Sequence, residues 1–392
     1  MTDFLNEARS IEAEVIAWRR RFHENPELGF QEHETAAFVL QTLREFGYAP
    51  RRVGGTGVVA ELAGGQGPGR VIGLRADMDA LPGEEKTNLP FASRKEGRMH
   101  SCGHDAHTAI LLGVAKLLAP RANEFAGKLK FFFQPAEEVL GGAKIFVDAG
   151  ELDNLDGLAA LHVMTDLETG VIGCRKGVSL AATDTFSITV SGKGAHGSQP
   201  HRGVDAIVAA AHMITALQTI ASRVVAPLDS TVVTIGKITG GVAHNTIPDQ
   251  VIMKGTLRNL QSGTREAVIK RLGEIVAHTA ASLGVAATCE ITDGSPPVIC
   301  DGAWVDRLRR VAGRYLPEEN IQALPEPSMG GEDFAYMLQK APGVFWRLGV
   351  RKKGTERTNA HSSTFMLDEA ALSYGVAISC ALALDALTTP DT

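Results

Sequence analysis

Residues 99–108 read Met99-His100-Ser101-Cys102-Gly103-His104-Asp105-Ala106-His107-Thr108, and an apolar run at 109–118 follows at once. The run predicts a buried helix whose N-terminal end carries Cys102 and His104. A thiol and imidazoles this close together usually bind a metal ion. Because a Cys-x-His spacing also arises by chance, the metal-site hypothesis depends on what the rest of the chain offers.

The bulk composition excludes several classes of protein. A length of 392 residues favours two domains, and a net charge of −6 gives no basic surface for nucleic acid. The first residues lack the pattern of a signal peptide and the five scattered cysteines favour reduced thiols, so we expect a cytoplasmic protein. The longest apolar runs, 206–217 and 374–384, are shorter than the roughly 20 residues of a membrane span, so we expect no membrane segment.

Strands that alternate with helices predict an α/β fold for the first part of the chain. Residues 5–48 favour two helices joined by a turn, and apolar strands are predicted at 70–77, 128–134 and 157–163. Helical patterns lie between the strands. We therefore expect a mainly parallel sheet with helices on both of its faces.

A different pattern begins near residue 183. Its elements follow the order β-α-β-β-α-β, which is the split ferredoxin-like motif. We expect residues 183–295 to form an inserted α+β domain that acts as a lid. Residues 1–182 and 296–392 would together form the catalytic domain.

Polar groups follow three of the predicted strands, namely Asp77, the pair Glu137 and Glu138, and His162. Ligands bind outside the carboxyl ends of the strands in open α/β sheets, so these positions indicate one shared site. The adjacent carboxylates could belong to an ordinary solvated loop. They could also divide two tasks, with one binding a metal ion and the other acting as a general base toward water.

Five side chains form a candidate ligand set: Cys102, His104, Glu138, His162 and His361. A histidine at the end of an apolar strand, such as His162, is more often a buried residue with satisfied hydrogen bonds. His361 lies in a polar loop and could be a surface residue. Taken together, the thiol, imidazoles and carboxylate suit two divalent ions.

The inserted domain offers three more candidates. The Gly-rich loop 192–201 presents His196, either as part of a strand-to-helix turn or as a mobile hydrogen-bond donor to a developing oxyanion. Asn245 and Arg258 could bind a substrate carboxylate, since an arginine within a strand is unusual without a partner.

A Gly-Gly loop at Gly330 and Gly331 opens a helix with an acidic first turn. Helix capping explains Glu332 and Asp333, whereas the backbone N–H groups of the two glycines could contact substrate.

These motifs resemble the amidohydrolase branch of the M20 metallopeptidase clan, which contains hippurate hydrolase, bacterial N-acyl-amino-acid aminoacylases and plant auxin-conjugate hydrolases. The resemblance implies metal ligation by the five side chains above and a general base at Glu137. It also implies an inserted domain that dimerises, so that His196 could serve the partner's site. The resemblance runs nearly end to end through Arg20-Phe22-His23-Pro26-Glu27-Leu28, Arg75-Ala76-Asp77-Met78-Asp79-Ala80-Leu81-Pro82, Met99 to His107, Gln134-Pro135-Ala136-Glu137-Glu138, Gly194-Ala195-His196, Asn245-Thr246-Ile247-Pro248 and Gly330-Gly331-Glu332-Asp333-Phe334.

One departure from the wider clan concerns Arg75-Ala76-Asp77, where many members carry His-x-Asp. Arg75 cannot supply that metal ligand, and in this branch Cys102 and the nearby imidazoles replace it. We expect Asp77 and Asp105 to orient ligands instead.

The expected activity is metal-dependent hydrolysis of the amide bond of an N-acyl-L-amino acid, hippurate-like or with another aromatic or short acyl group. The two divalent ions would be zinc or manganese, or else cobalt or nickel. We expect a small-molecule substrate and a homodimer or higher homo-oligomer formed through the inserted domain.

The sequence leaves other functions open. The same scaffold could support a dipeptidase or an N-acetyl-diaminopimelate-type deacetylase. Cys102 could instead be a nucleophile activated by His104 or His107. A metal-binding scaffold protein would need no general base.

Overall fold

A computed structural model describes residues 3–389 of the chain. The described residues form ten α-helices: α1 (Phe4–Ser10), α2 (Glu12–Glu24), α3 (His33–Glu45), α4 (His104–Leu118), α5 (Gly142–Asp148), α6 (Ala206–Leu217), α7 (Ser262–Leu283), α8 (Gly302–Ala312), α9 (Phe334–Leu338) and α10 (Ala371–Thr388). They also form eighteen strands: β1 (Arg51–Val53), β2 (Gly57–Ala63), β3 (Val71–Asp77), β4 (Leu81–Pro82), β5 (Arg98–Met99), β6 (Lys128–Gln134), β7 (Gly157–Glu168), β8 (Ile172–Cys174), β9 (Gly177–Leu180), β10 (Ala182–Ser191), β11 (Ala195–His196), β12 (Thr231–Gly240), β13 (Thr246–Ile247), β14 (Gln250–Asn259), β15 (Ala286–Asp293), β16 (Val298–Cys300), β17 (Ile321–Ala323) and β18 (Gly343–Arg351).

The internal contacts of the chain divide it into two compact units. The first unit contains the described residues up to Ser179, together with Ile299–Glu326 and the chain from Glu332 onward. The second unit contains Leu180–Val298 and Pro327–Gly331. The sequence assigns 327–331 to the catalytic domain, but the N–H of Ala181 donates to the carbonyls of Ser328 and Gly330 at 3.0 and 3.2 Å, which ties this segment to the second unit.

The first unit is built on an eight-stranded sheet in the order β1-β2-β6-β3-β7-β18-β8-β17. The four central strands β6, β3, β7 and β18 are parallel to their neighbours in that row, whereas β2 and β8 pair with it in the antiparallel sense. The predicted mainly parallel sheet is therefore confirmed.

Helices cover both faces of this sheet. Successive residues of a strand point to opposite faces, so the contacts of Phe131 and Phe132 show which helix covers each face. Phe131 of β6 contacts the ring of Tyr48 at 5.5 Å, and the Tyr48 hydroxyl donates to the carbonyl of Ala115 on α4 at 2.8 Å. The next residue, Phe132, contacts the ring of Phe146 on α5 at 5.4 Å. Helices α4 and α5 therefore lie on opposite faces.

The N-terminal segment differs from its prediction. Three helices, α1, α2 and α3, replace the predicted two, because the chain breaks at Ile11 between α1 and α2. Ile11 is buried and its side chain does not cap α2. The apolar spacing is continuous across this break, so the periodicity alone does not reveal it.

Two helical segments are longer than the apolar runs that the sequence shows. Ala206–Val224 and Ala371–Thr388 are long and apolar enough to cross a membrane by length and composition alone, which corrects the expectation that these runs are too short. The second segment is 83% buried and packs against α1, α4 and α8, so it is a core helix of the first unit. The first segment buries Ala209 and Met213 in the core of the second unit.

The second unit has an antiparallel sheet in the order β12-β14-β10-β15. Helices α6 and α7 pack on one face of it, where Phe186, Ile188 and Val190 of β10 form the core. This strand order with two covering helices is the predicted ferredoxin-like arrangement.

Candidate metal centre

A glycine turn positions the thiol of Cys102 and the imidazole of His104 at the start of α4. Gly103 lies between them with a φ of 96°, a conformation that favours glycine. A Cβ atom at this position would lie 2.2 Å from Cγ2 of Val163. The predicted helix therefore begins at His104, and Cys102 lies just outside it.

A second tight turn presents Glu137 and Glu138 after β6. Ala136 has a φ of 53°, and its N–H donates to Oε1 of Glu32 at 2.8 Å. Gly142 is required at the end of this turn, since a Cβ atom there would lie 1.5 Å from the carbonyl oxygen of Pro135. The turn directs both carboxylates toward the carboxyl ends of the strands.

The five predicted ligand side chains meet at one place. The Cys102 Sγ lies 3.4 Å from the His162 Nε2, and the His361 Nε2 lies 3.4 Å from the Glu138 Oε1. The His104 Nε2 lies 3.8 Å from the same Glu138 oxygen. Potential ligand atoms of Cys102, His104 and His162 lie within 4.8 Å of one another, as do those of Cys102, Glu138 and His361.

A backbone hydrogen bond joins the two most distant ligand loops, since the N–H of His361 donates to the carbonyl of Ser101 at 2.7 Å. His361 has a φ of 62°, which its loop tolerates because of this bond. The side chain of His361 is half exposed, whereas His104 is fully buried.

The donor set fits a divalent cation. The His104 Nε2 and the Glu138 Oε1 are buried and have no hydrogen-bond partner among residues 3–389. Buried polar atoms without a partner are rare because they lose hydration without compensation. Thiolate, imidazole and carboxylate are the donors that zinc and related ions take.

Asp79 orients two of these ligands and was missed by the sequence reasoning. The His104 Nδ1 donates to the Asp79 carbonyl at 2.9 Å and lies 3.2 Å from its Oδ1, which leaves the Nε2 lone pair for a cation. The Asp79 Oδ2 accepts from the N–H of Glu138 at 3.0 Å. The signal in the sequence is the alternation of Asp77 and Asp79 at the end of β3.

Asp77 accepts from the His107 Nδ1 at 2.6 Å and from the Arg75 Nη1 at 2.8 Å. Its Oδ2 also lies 3.7 Å from the His104 Nε2. The second nitrogen of His107 accepts from the N–H of Val163 at 2.9 Å, so both nitrogens of this ring are engaged.

Asp105 was expected to orient a metal ligand, but its carboxylate contacts Arg19 and His23 instead. Its Oδ2 lies 2.8 Å from the Arg19 Nε and 2.8 Å from the His23 Nδ1, in a buried cluster that joins α2 to α4. Adjacent residues of a helix point about 100° apart, so Asp105 need not face the site that His104 faces. Asp105 therefore packs two helices together, and Asp79 has the orienting position.

Glu137 lies in a dense group of buried acids. Its carboxylate, that of Glu332 and that of Asp333 lie within 4.8 Å of one another. Burial, then repulsion from Glu332 and Asp333, raises the pKa of Glu137 well above its usual value. Arg75 partly neutralises the group, with its Nη2 2.9 Å from the Glu332 Oε1.

The thiol of Cys102 is not activated as a nucleophile by its surroundings. Burial raises its pKa to about 12, although the nearby His104 acts in the opposite direction. A thiolate is the reactive form of cysteine, so this environment favours the thiol unless a cation lies beside it.

In the second unit the structure brings His196 and Asn245 together. Strands β11 and β13 pair His196 with Thr246, and the carbonyl of Asn245 accepts from the N–H of Gly197 at 2.7 Å. The exposed ring of His196 accepts at Nδ1 from the N–H of Ser198 at 3.1 Å. A neutral His196 therefore carries its proton on Nε2, which can donate.

Arg258 and the two glycines of 330–331 also lie in the second unit. The Arg258 Nη1 donates to the carbonyl of Leu257 at 2.9 Å, and burial lowers its pKa. The N–H of Gly330, expected to be open to substrate, instead donates to the Ser328 Oγ at 3.1 Å. A Cβ atom at Gly331 would lie 2.3 Å from the Thr183 Cγ2, so close packing requires this glycine.

The chain is similar to proteins of known family and structure. A family model described as Peptidase family M20/M25/M40 matches residues 73–385. An N-acetyl-L-cysteine deacetylase of Bacillus subtilis (strain 168) is 42% identical over 365 residues, which cover 93% of this chain and 86% of that protein. An N-acyl-L-amino acid amidohydrolase of Geobacillus stearothermophilus is 43% identical over 291 residues, covering 74% of this chain and 78% of that protein. The crystal structure of a dinuclear metal-binding M20 peptidase from Bacillus subtilis has a TM-score of 0.84 and 37% identity, and it covers 97% of this chain and 100% of that chain.

Proposed function

Because this chain belongs to the peptidase family M20/M25/M40, we propose that it hydrolyses the amide bond of N-acyl-L-amino acids. The observation that carries the proposal is the convergence of Cys102, His104, Glu138, His162 and His361 beside the carboxylate of Glu137. Relatives named as an N-acetyl-L-cysteine deacetylase and an N-acyl-L-amino acid amidohydrolase support amide hydrolysis. Hippurate and other aromatic or short acyl conjugates are the substrates that we would assay first.

We infer that the five side chains hold two divalent ions, zinc or manganese. A divalent ion supplies Lewis-acid polarisation of a carbonyl group and lowers the pKa of water. The unpartnered His104 Nε2 and Glu138 Oε1 support this assignment, as does the two-metal relative of known structure.

Glu137 acts as the general base in this proposal. Its Oε2 lies 4.0 Å from the His104 Nε2, so it is next to the ligands, while Glu138 makes the closer contact with His361. Glu137 accepts a proton from the attacking water and delivers it to the leaving amine nitrogen. One carboxylate thereby serves both proton transfers.

The second unit supplies substrate-binding groups in this proposal. His196 donates from Nε2 to the carbonyl oxygen as negative charge develops there, either in its own chain or in a partner subunit. Asn245 and Arg258 bind the carboxylate of the amino acid and so orient the scissile bond.

We also propose that the protein forms a homodimer through the second unit. Strand β12 is an edge of its sheet, and such an edge is usually covered. Apolar side chains are exposed along this edge and on α6, with Ile238 53% and Val208 48% exposed. Pairing of β12 with its copy would extend the sheet and cover both.

The function is tested with Glu137→Gln and a panel of N-acyl amino acids. The metal-loaded wild-type protein should release free amino acid from at least one member, and ninhydrin detects the product amine. Glu137→Gln should bind the same amount of metal and lose about 10²–10⁴-fold in kcat. Unchanged turnover in this variant would contradict the role of Glu137.

A further inference from the structure

Arg347 places a guanidinium in the middle of β18, beside a proposed metal ligand. The parallel register pairs Arg347 with His162 of β7, so the two side chains project from the same face of the sheet. Phe345, two residues earlier, lies on this face too. Its ring centroid is 6.2 Å from that of His162 and 4.3 Å from the guanidinium carbon of Arg347.

The positive charge of Arg347 lies over the Phe345 ring but has no anionic partner. Among residues 3–389 its guanidinium forms neither an ion pair nor a hydrogen bond, and the carboxylates of Glu332 and Glu137 attract it from a greater distance. Loss of hydration lowers the pKa of Arg347, and the distant carboxylates act in the opposite direction. An arginine nevertheless stays charged in a protein.

The buried arginines of this unit near the proposed metal centre are paired with acids. Arg75 bonds to Asp77 at 2.8 Å and to Glu332 at 2.9 Å, and Arg19 lies 2.8 Å from Asp105. Arg347 is partly exposed, so its guanidinium can reach a ligand, and its place beside the proposed metal ligands without an anionic partner indicates that an anion binds there. The planar fork of arginine matches a carboxylate.

We propose that Arg347 binds a carboxylate group of the substrate at the metal centre. The inference rests on the proposed function, and it adds a specificity-determining residue to it. The carboxylate has two sources in an N-acyl amino acid. One is the α-carboxylate of the amino acid, and the other is the terminal carboxylate of a dicarboxylic acyl group such as succinyl.

Three substrates with the same amino acid separate these sources: N-acetyl-L-methionine, N-succinyl-L-methionine and N-acetyl-L-methioninamide. Arg347→Met should lower kcat/KM by about 30-fold or more on a substrate that carries the bound carboxylate, while Arg347→Lys keeps part of the activity. A loss on both acids identifies the α-carboxylate, and a loss on the succinyl compound alone identifies the acyl carboxylate. The amide substrate should be affected much less in either case.

Arg351→Met is the matched control, because it removes a positive charge from the same strand at a residue paired with Glu168 at 3.2 Å. It should leave all three activities nearly unchanged. An equal loss on the amide and the acids in Arg347→Met, or no loss on any substrate, would overturn the inference.

A binding measurement keeps the inference separate from the proposed function. Succinate titrated calorimetrically into metal-loaded and chelated protein should bind more weakly to Arg347→Met than to the wild type in both forms. Equal affinities overturn the role of Arg347, whatever the enzyme hydrolyses. A different outcome would contradict the proposed function alone. In that case the metal-loaded wild type cleaves no N-acyl amino acid, but succinate still binds more weakly to Arg347→Met than to the wild type.

Discussion

The N–H of Ala136 donates to the Oε1 of Glu32 at 2.8 Å, although the two residues are 104 positions apart in the chain. Glu32 also accepts from the N–H of Phe30 at 3.1 Å and from the Thr56 hydroxyl at 2.7 Å. Its fully buried carboxylate thereby supports the backbone of Ala136, the residue that precedes Glu137. Positive φ at a non-glycine residue persists only where surrounding contacts hold it.

Glu32→Gln should stabilise the protein at neutral and alkaline pH. Burial, the largest influence, raises the pKa of Glu32 to about 7 from an ordinary value of 4.5. The folded state therefore binds the extra proton, so wild-type stability falls as the pH rises from about 4.5 to about 7. At about 1.4 kcal/mol per pKa unit, the fall is about 3 kcal/mol at most.

Glutamine keeps the acceptor for Ala136 and lacks this titration. The check is the free energy of unfolding in denaturant at pH 5 to 8, measured with chelator present. The stability advantage of Glu32→Gln should grow with pH, and Glu32→Ala should be destabilised throughout because Ala136 loses its acceptor. A difference between Glu32→Gln and the wild type that is the same at every pH would show that Glu32 has an ordinary pKa.

Asp79→Asn should weaken metal binding, because the carboxylate both accepts from His104 and positions the backbone of Glu138. Loss of a residue that orients a ligand typically lowers metal affinity about 10–100-fold. Competition with a chromogenic chelator measures this affinity. Asp105→Asn is the matched control, since its carboxylate faces Arg19 and His23, and it should reduce stability while leaving metal affinity nearly unchanged. The reverse pattern would assign the orienting role to Asp105.

His196→Ala should lower kcat about 10²–10³-fold with unchanged metal content, as expected for the loss of one oxyanion donor. Ser198→Ala should cost less than about 10-fold, because the backbone N–H of residue 198 still donates to the Nδ1 of His196 and preserves its tautomer. Steady-state kinetics on one N-acyl amino acid compares the two. If Ser198→Ala were as damaging as His196→Ala, the hydroxyl rather than the imidazole would be the important group.

Ile238→Lys on β12 should dissociate the proposed dimer, because it places a charge on the exposed apolar edge of the sheet. Sedimentation velocity should then give a monomer of about half the wild-type mass. Lys270→Glu, a change on α7 away from this edge, should leave the dimer intact. A wild-type protein that sediments as a monomer at micromolar concentration would contradict the proposed interface.

The sequence predicts the parallel sheet because strands such as 157–163, which is apolar except for His162, carry no polar face and are therefore expected to be buried on both sides. It predicts the inserted domain because the strand and helix order of 184–292 is distinctive. Contacts between residues far apart in the chain are harder to predict from the sequence. The partnership of Asp105 with Arg19 and His23, and the use of the Gly330 N–H by Ser328, follow from side-chain and loop directions that no periodicity encodes.

Asp79 and Arg347 are two residues of the site whose sequence pattern is distinctive, although the motifs did not single them out. Asp79 lies two residues beyond Asp77, the last residue of β3, so the sequence places two carboxylates close to the carboxyl end of this strand. Arg347 interrupts the apolar strand 343–350 with a single charge, a pattern that usually marks either a buried ion pair or a ligand site. Only the three-dimensional register beside His162 distinguishes between them.

Titration of metal-free protein with zinc or manganese, with amide hydrolysis followed at each addition, tests the two-metal site most directly. We expect no hydrolysis before metal is added, and activity that rises until two equivalents are bound per chain. Full hydrolysis by the metal-free protein that is lost on alkylation of Cys102 would contradict the two-metal assignment and favour a cysteine nucleophile.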